Sequence, residues 1–311
     1  MELYYKIKGK NYPKLIMGCD SFLREPFVSS CNDKNKKKYI LSIMEVAYSN
    51  GIIGIHVNID SQYVFQAFRE LKKKHNDVIG IGDPNMNVGF LLGGKSLKNN
   101  SGRVIRTIYE VFLNEAEKES IKNNTEYFKK YFFNYKDSDR MLNQDEISSI
   151  SLRKNIWKSR LKELSPYCEF CLFGANYADW LLAINRKDII EYEIETIMKA
   201  GMFPVSVCHW GSRTLDELVK NTEVVAHWVF ANKNALPIIF DDALRVIKRA
   251  KNITAFRILR NFNGYNTIDD ALSWSFNELS AKSVVIGAPT DITTASRLFA
   301  EVREKIGLIR S

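Results

Sequence analysis

Short apolar, β-rich runs alternate with longer segments of helical spacing along the chain, and eight such units can be read. The first strand is expected at Lys14 to Leu23, and its helix carries Tyr39, Ile40, Ile43, Met44 and Ala47 until Asn50-Gly51 stops it. Ile52 to Asp60 reads as the second strand. The helix after it opens at Ser61, turns Val64, Phe65, Phe68 and Leu71 to one side, and ends in Lys72-Lys73-Lys74, where positive charge suits the helix dipole. Later strands are expected at Val78 to Gly82, Cys168 to Phe173, Phe203 to Cys208, Val224 to Ala231, Ala255 to Leu259 and Val284 to Gly287. Helices fall between them, two of them opened by the caps Thr214-x-x-Glu217 and Thr267-x-x-Asp270, and the last packs Ile292, Ala295, Leu298, Phe299, Val302 and Ile306.

The alternation is interrupted once, by an insertion over residues 86–146 between strand three and the third helix, which is expected at about Ile147 to Leu164. Inside it, Asn99-Asn100-Ser101-Gly102 predicts a hairpin turn between Asn87–Leu97 and Arg103–Val111, and Asn114 to Phe133 predicts a helix. A helix between every pair of strands forces a parallel sheet. Eight βα units in 311 residues describe an α/β fold with one domain, a (β/α)8 TIM barrel with an N-terminal hairpin. The insertion would then leave the C-terminal face as a lid or an oligomer contact. An open doubly wound sheet would show a glycine-rich turn after its first strand, and Met17-Gly18-Cys19-Asp20 is not one.

Tyr5 to Gly18 (YKIKGKNYPKLIMG), a basic hairpin with a glycine turn leading into a strand, resembles the opening of aldo-keto reductase barrels. Ser283 to Thr290 (SVVIGAPT) is similar to their last strand and cofactor-phosphate loop. The resemblance implies a reductase barrel using NADP, with an Asp and a Tyr after strand two, a Lys ending strand three and a His ending strand four. Asp60 matches the Asp, and Tyr63 matches the Tyr only with shifted spacing. Strand three ends Gly80-Ile-Gly-Asp83 without the Lys, and strand four ends Leu172-Phe-Gly174 without the His. The barrel is therefore expected without the usual carbonyl reduction.

In such a barrel the chemistry lies where the strands end. In strand two, Ile53, Ile55, Val57 and Ile59 share one face, which sends His56, Asn58 and Asp60 inward, where polar groups are either hydrogen-bonded or functional. The other strand ends bring Cys19 and Asp20, Asp83, Asn176 and Asp179, His209 and Trp210, Asn232 and Lys233, Arg260, and Gly287 with Thr290. The candidate catalytic set is His56, Asp60, Asp83, His209 and Lys233. Lys233 would be either an electrostatic contact or a Schiff-base nucleophile. Asp20, Asn58, Asn176, Trp210, Arg260, Gly287 and Thr290 are the candidate substrate-binding residues, the last three around an anion. A divalent metal would find His56, His209 and His227 on three strands with Asp20 or Asp83 nearby, but no His-x-His spacing announces one. Cys168-x-x-Cys171 in a regular strand would split its thiols between opposite faces. Gly89 to Ser96 matches the phosphate-loop pattern G-x-x-x-x-G-K-[ST], but Phe90-Leu-Leu92 suits a strand and Asn99-Asn-Ser-Gly102 follows too soon for the helix such a loop needs.

Composition narrows the setting. At 45% hydrophobic residues the chain can bury a large core, which excludes bulk disorder. No apolar run approaches the roughly 20 residues of a membrane span, and Met1 to Lys14 lacks a signal-peptide core. Five scattered Cys suit a reducing, cytoplasmic compartment. The formal charge is +9, and between Gly93 and Arg160 basic residues outnumber acidic ones 14 to 9, which would draw an anionic substrate. Acids interleave with these bases, so nucleic acid is not the expected partner. The aromatic stretch Tyr127 to Tyr135 is the candidate contact of a homo-oligomer. The expected activity is lyase or isomerase chemistry by acid and base groups on a small anionic or sugar-like substrate, with no cofactor required. The alternatives are a divergent NADP-dependent reductase and a non-catalytic barrel serving as a binding or scaffold subunit.

Overall fold

Eight parallel strands close on themselves in chain order: β1 (Leu15–Gly18), β2 (Gly54–Asn58), β3 (Ile79–Asp83), β4 (Cys168–Phe173), β5 (Phe203–Cys208), β6 (Ala226–Phe230), β7 (Ile253–Phe256) and β8 (Ser283–Gly287), with β8 pairing back onto β1. This computed structural model describes residues 2–30, 33–84, 89–123, 134–174, 177–211, 213–232, 240–261, 264–265 and 267–308. The helices of the outer ring are α1 (Asp33–Ser49), α2 (Gln62–Lys74), α3 (Lys154–Leu164), α4 (Lys187–Lys199), α5 (Thr214–Leu218), α6 (Phe240–Arg249), α7 (Ile268–Ser273) and α8 (Ile292–Leu308). Among the described residues, no helix is long and apolar enough to cross a membrane.

Strand alternation makes two cores. Ile16, Ile81, Phe170, Leu172, Val205, Val207, Trp228 and Val285 fill the barrel, while Leu15, Met17, Ile55, Val57, Cys171, Phe173 and Val229 meet the helices. The expected hairpin forms from Tyr4–Ile7 and Lys10–Pro13 around Lys8-Gly9. It closes the floor. Tyr12 is fully buried, its hydroxyl shares a hydrogen bond with Thr254 and accepts one from the Trp228 indole at 2.9 Å. Ile53 joins this floor cluster rather than the helix-facing row in which alternation placed it.

Several local expectations are corrected. β1 stops at Gly18 and a 3-10 turn takes Asp20–Leu23, because the chain must bend over the barrel end. The third helix is two pieces: Asn143 and Glu146 form a capping box that starts Gln144–Ser148, and Ser151–Leu152 then pairs with Phe90-Leu91 before α3 begins. The hairpin turn in the insertion is Gly93-Gly94, whose positive φ values of 55° and 79° suit a two-residue turn, so Leu92 pairs with Lys95. That pairing also removes the phosphate-loop reading of Gly89 to Ser96. Asn99 to Val111 is helical instead, with Val104, Ile105 and Ile108 buried at helical spacing. The helix expected at Asn114 to Phe133 is seen as Glu115–Asn123; residues 124–133 lie outside the described ones.

Candidate active site

His56 and Asp83 meet because β2 and β3 run in register, with Asn58 opposite Asp83. His56 Nε2 is 3.1 Å from Asp83 Oδ2, and the Asn58 amide donates to the same oxygen at 3.2 Å. The other imidazole nitrogen lies 3.7 Å from Asp20, whose carboxylate stands half in solvent just past β1. Burial alone would lower the proton affinity of His56. The hydrogen bond to Asp83 and the charges of Asp20 and Asp83 outweigh it, so the imidazole is held above its ordinary pKa.

A second imidazole sits past the end of β5. Asp179, in the first turn of the short helix Ala178–Ala183, accepts the backbone N–H groups of His209 at 2.9 Å and Trp210 at 3.1 Å. The same carboxylate is 3.3 Å from His209 Nδ1, so a neutral His209 that donates there keeps its lone pair on Nε2. Here burial wins. It pushes His209 below the ordinary histidine value against the pull of Asp179, with Arg257 pushing the same way as burial. Asp20 acts electrostatically on both imidazoles.

Aromatic rings line the space between them. The His56 ring lies 5.3 Å from Trp228, Trp228 lies 6.4 Å from Phe256, and Phe256 meets His209 edge-on at 5.3 Å. Phe230 stacks on His209 at 6.2 Å and meets Phe256 edge-on at 5.9 Å. Trp210 is fully buried in the cluster that the strands share with the helices, so it does not line the mouth as a substrate contact would.

Other candidates stand elsewhere. Asp60 does not follow His56 and Asn58 inward: past the end of β2 its carboxylate turns to Arg160 of α3 at 2.7 Å. His227 faces the helices, where it shares a 2.8 Å hydrogen bond with Ser206 and burial lowers its pKa to about 4. It cannot join His56 and His209 at the mouth, and among the described residues no three His, Cys, Asp or Glu side chains cluster as a metal site. Cys168 and Cys171 do share a face, contrary to simple alternation. The register shifts between Gly80 and Ile81 opposite Glu169, and this bulge returns both thiols to the helix side. Asn176 and Lys233 lie outside the described residues, as does the side chain of Arg260. Sequence reading did not find Arg257, and it undervalued Asp179, the partner of His209 across 30 residues. The alternation of Trp228 and Phe230 along β6 was the available signal for the aromatic wall.

No protein-family model and no curated protein matches the sequence. Solved structures do. A provisionally assigned aldo-keto reductase from Pseudomonas aeruginosa aligns over 98% of this chain and 96% of its own, at 12% identity and a TM-score of 0.54. A second structure described in the same way, also from Pseudomonas aeruginosa, gives 11% identity, the same coverage and a TM-score of 0.53. The barrel has the aldo-keto reductase fold. A sugar phosphate isomerase/epimerase from Parabacteroides distasonis aligns over 95% of this chain and 98% of its own, at 11% identity and a TM-score of 0.43.

The Lys and the His that the resemblance implies do not stand at their positions. Asp83 occupies the strand-three end in place of the Lys, and the end of β4 brings no His. The loop that would take a cofactor phosphate is already committed. Ala288 N–H donates to Gly18, the Ala288 carbonyl accepts from Ser21, the Thr290 carbonyl accepts from Tyr39, and Asp291 caps the first turn of α8 through Thr294 N–H at 2.6 Å. A carboxylate at that helix N-terminus does not fit a dinucleotide phosphate there. Gly287 stands open beside this loop, with nothing within 4 Å of where a side chain would begin.

Proposed function

We propose that this barrel is an enzyme of the lyase or isomerase type, moving protons on a small anionic or sugar-like substrate. One observation carries the reading: two buried histidines at one mouth, each paired with a carboxylate, have proton affinities displaced in opposite directions. Environments that push two titratable groups apart assign an acid and a base. His209, deprotonated and oriented by Asp179, takes the proton from a carbon next to a carbonyl. His56, protonated and held by Asp83, gives its proton to the carbonyl oxygen as the enol forms. Return of a proton from His209 to the former carbonyl carbon, while the hydroxyl on the deprotonated carbon gives its proton to His56 and becomes the new carbonyl, completes an isomerisation; departure of a leaving group from the carbon on the other side of the deprotonated one, taking a proton from His209 while the enol oxygen returns its own to His56, completes an elimination. The rings of Trp228, Phe230 and Phe256 keep water from competing for the protons.

The reading is tested in D2O with a panel of hydroxy ketones, keto acids and sugar phosphates, following loss of substrate C–H signals by NMR. His209→Asn and His56→Gln should each slow exchange by roughly 10²- to 10⁴-fold. The pH profile of the exchange should be a bell that rises as His209 loses its proton below the ordinary histidine pKa and falls as His56 loses its own above it. Exchange unchanged in both variants would sink the proposal, and saturable carbonyl reduction by NADPH without exchange would replace it with the reductase.

A further inference from the structure

We infer that Asp20 accepts a hydrogen bond from a hydroxyl on the carbon beside the substrate's carbonyl, which makes the substrate a hydroxy aldehyde or hydroxy ketone and turns away keto acids. The inference rests on the reading of this mouth as an active site and names the substrate class it takes. Asp20 stands in a turn that its neighbours fix. Cys19 before it is fully buried, the Ser21 hydroxyl donates to the Ala288 carbonyl at 2.7 Å, and the buried Phe22 ring meets Phe27 edge-on at 5.1 Å. The carboxylate itself makes no hydrogen bond among the described residues. One oxygen lies 3.9 Å from the exposed Arg24 guanidinium and the other 3.7 Å from His56 Nδ1, both beyond hydrogen-bond reach.

His56 Nε2 is already engaged with Asp83, so Nδ1 is the nitrogen that can hand a proton to a substrate. The 3.7 Å between Nδ1 and Asp20 suits two oxygens held side by side on adjacent carbons. The carbonyl oxygen accepts from Nδ1 and the hydroxyl donates to Asp20, each at about 2.7–2.9 Å. This arrangement keeps both oxygens on one side, so the hydroxyl stays within reach of Nδ1 when it becomes the new carbonyl. Asp20 moves no proton; the histidines do. A ketone lacking the hydroxyl leaves Asp20 to water, and a carboxylate in the hydroxyl's place meets a like charge. Room for the substrate stands alongside. Gly287 pairs with Gly18 across β8 and β1 and shares the inward face with Val285, and nothing lies within 4 Å of where its side chain would begin. Its φ is not positive, so the backbone does not require a glycine there.

The test follows the His56 ring signals of the full-length protein by NMR, assigned with His56→Gln, during separate titrations with hydroxyacetone, acetone and pyruvate. The parent protein should bind hydroxyacetone saturably and roughly tenfold or more tightly than acetone or pyruvate. Asp20→Ala should remove the preference over acetone. Asp20→Asn, which keeps an acceptor and loses the charge, should retain part of that preference and lose the one over pyruvate. Gly287→Val should fill the open space and weaken hydroxyacetone binding roughly tenfold or more. The inference is overturned by a preference unchanged in Asp20→Ala, by acetone or pyruvate binding the parent as tightly as hydroxyacetone, or by hydroxyacetone that moves no His56 signal. Proton exchange that persists while Asp20→Ala leaves the preference untouched removes this site alone. A preference lost in Asp20→Ala, with no proton exchange in any protein, removes the catalytic reading and leaves the hydroxyl site.

Discussion

Asp179 satisfies two backbone N–H groups and one imidazole from a position that is itself buried, so its removal exposes several unmet partners at once. Asp179→Asn should destabilise the protein by about 1–3 kcal/mol, measured by urea unfolding, and should lower the His209 pKa further because the carboxylate is what draws it up. The His56 half of the site was legible in the sequence. Alternation within one strand sends His56 and Asn58 inward, and neighbouring parallel strands bring Asp83 beside them. Asp179 and His209 were harder to join, since their contact depends on how a short helix after β4 folds back over the end of β5. Arg257 was invisible, because a pattern of polar and apolar residues carries no record of one backbone dihedral. The same blindness explains Asp60, which the pattern aimed inward and Arg160 draws to the rim.

Strands and helices separate cleanly into what periodicity determines and what close approach determines. β4 and β5 begin and end where the apolar runs do, whereas β7 begins two residues and ends three residues earlier than expected because Arg257, at φ +59°, cuts its end and Ile253-Thr254 take up the pairing with β6 and β8. Gly80 of β3 lets α2 come close: a side chain there would begin 2.5 Å from the Phe68 ring and 2.9 Å from the Cys168 sulfur. Gly80→Ala should therefore cost about 1–3 kcal/mol through overpacking, seen as a lower Tm with unchanged circular dichroism. On the next face, Glu193 of α4 is fully buried with neither carboxylate oxygen hydrogen-bonded, and burial holds its pKa well above the usual carboxylate range. The folded protein keeps a proton that the unfolded chain releases, so this residue costs stability as pH rises above about 4.3. Glu193→Met should raise Tm at pH 7 and have a much smaller effect near pH 4.

For the molecule as a whole, acid should be more damaging than mild base. His227 has its pKa lowered to about 4 by burial, so its contribution is present above the unfolded value of about 6.5 and is lost as pH falls toward its folded one. By pH 4 this loss is on the order of 3 kcal/mol. His209 adds to it in the same direction, while His56, with its raised pKa, stabilises below about 6.5 and gives that up only as pH rises through its folded value. Urea unfolding at pH 4.5 and 7 should show this drop, and His227→Asn should flatten it. The hairpin beneath the barrel has a kinetic consequence. With Tyr12 sealing the floor, the barrel is a cul-de-sac, and whatever reacts inside must arrive and depart through one doorway. Product and substrate then compete for the same passage, so accumulated product should inhibit competitively.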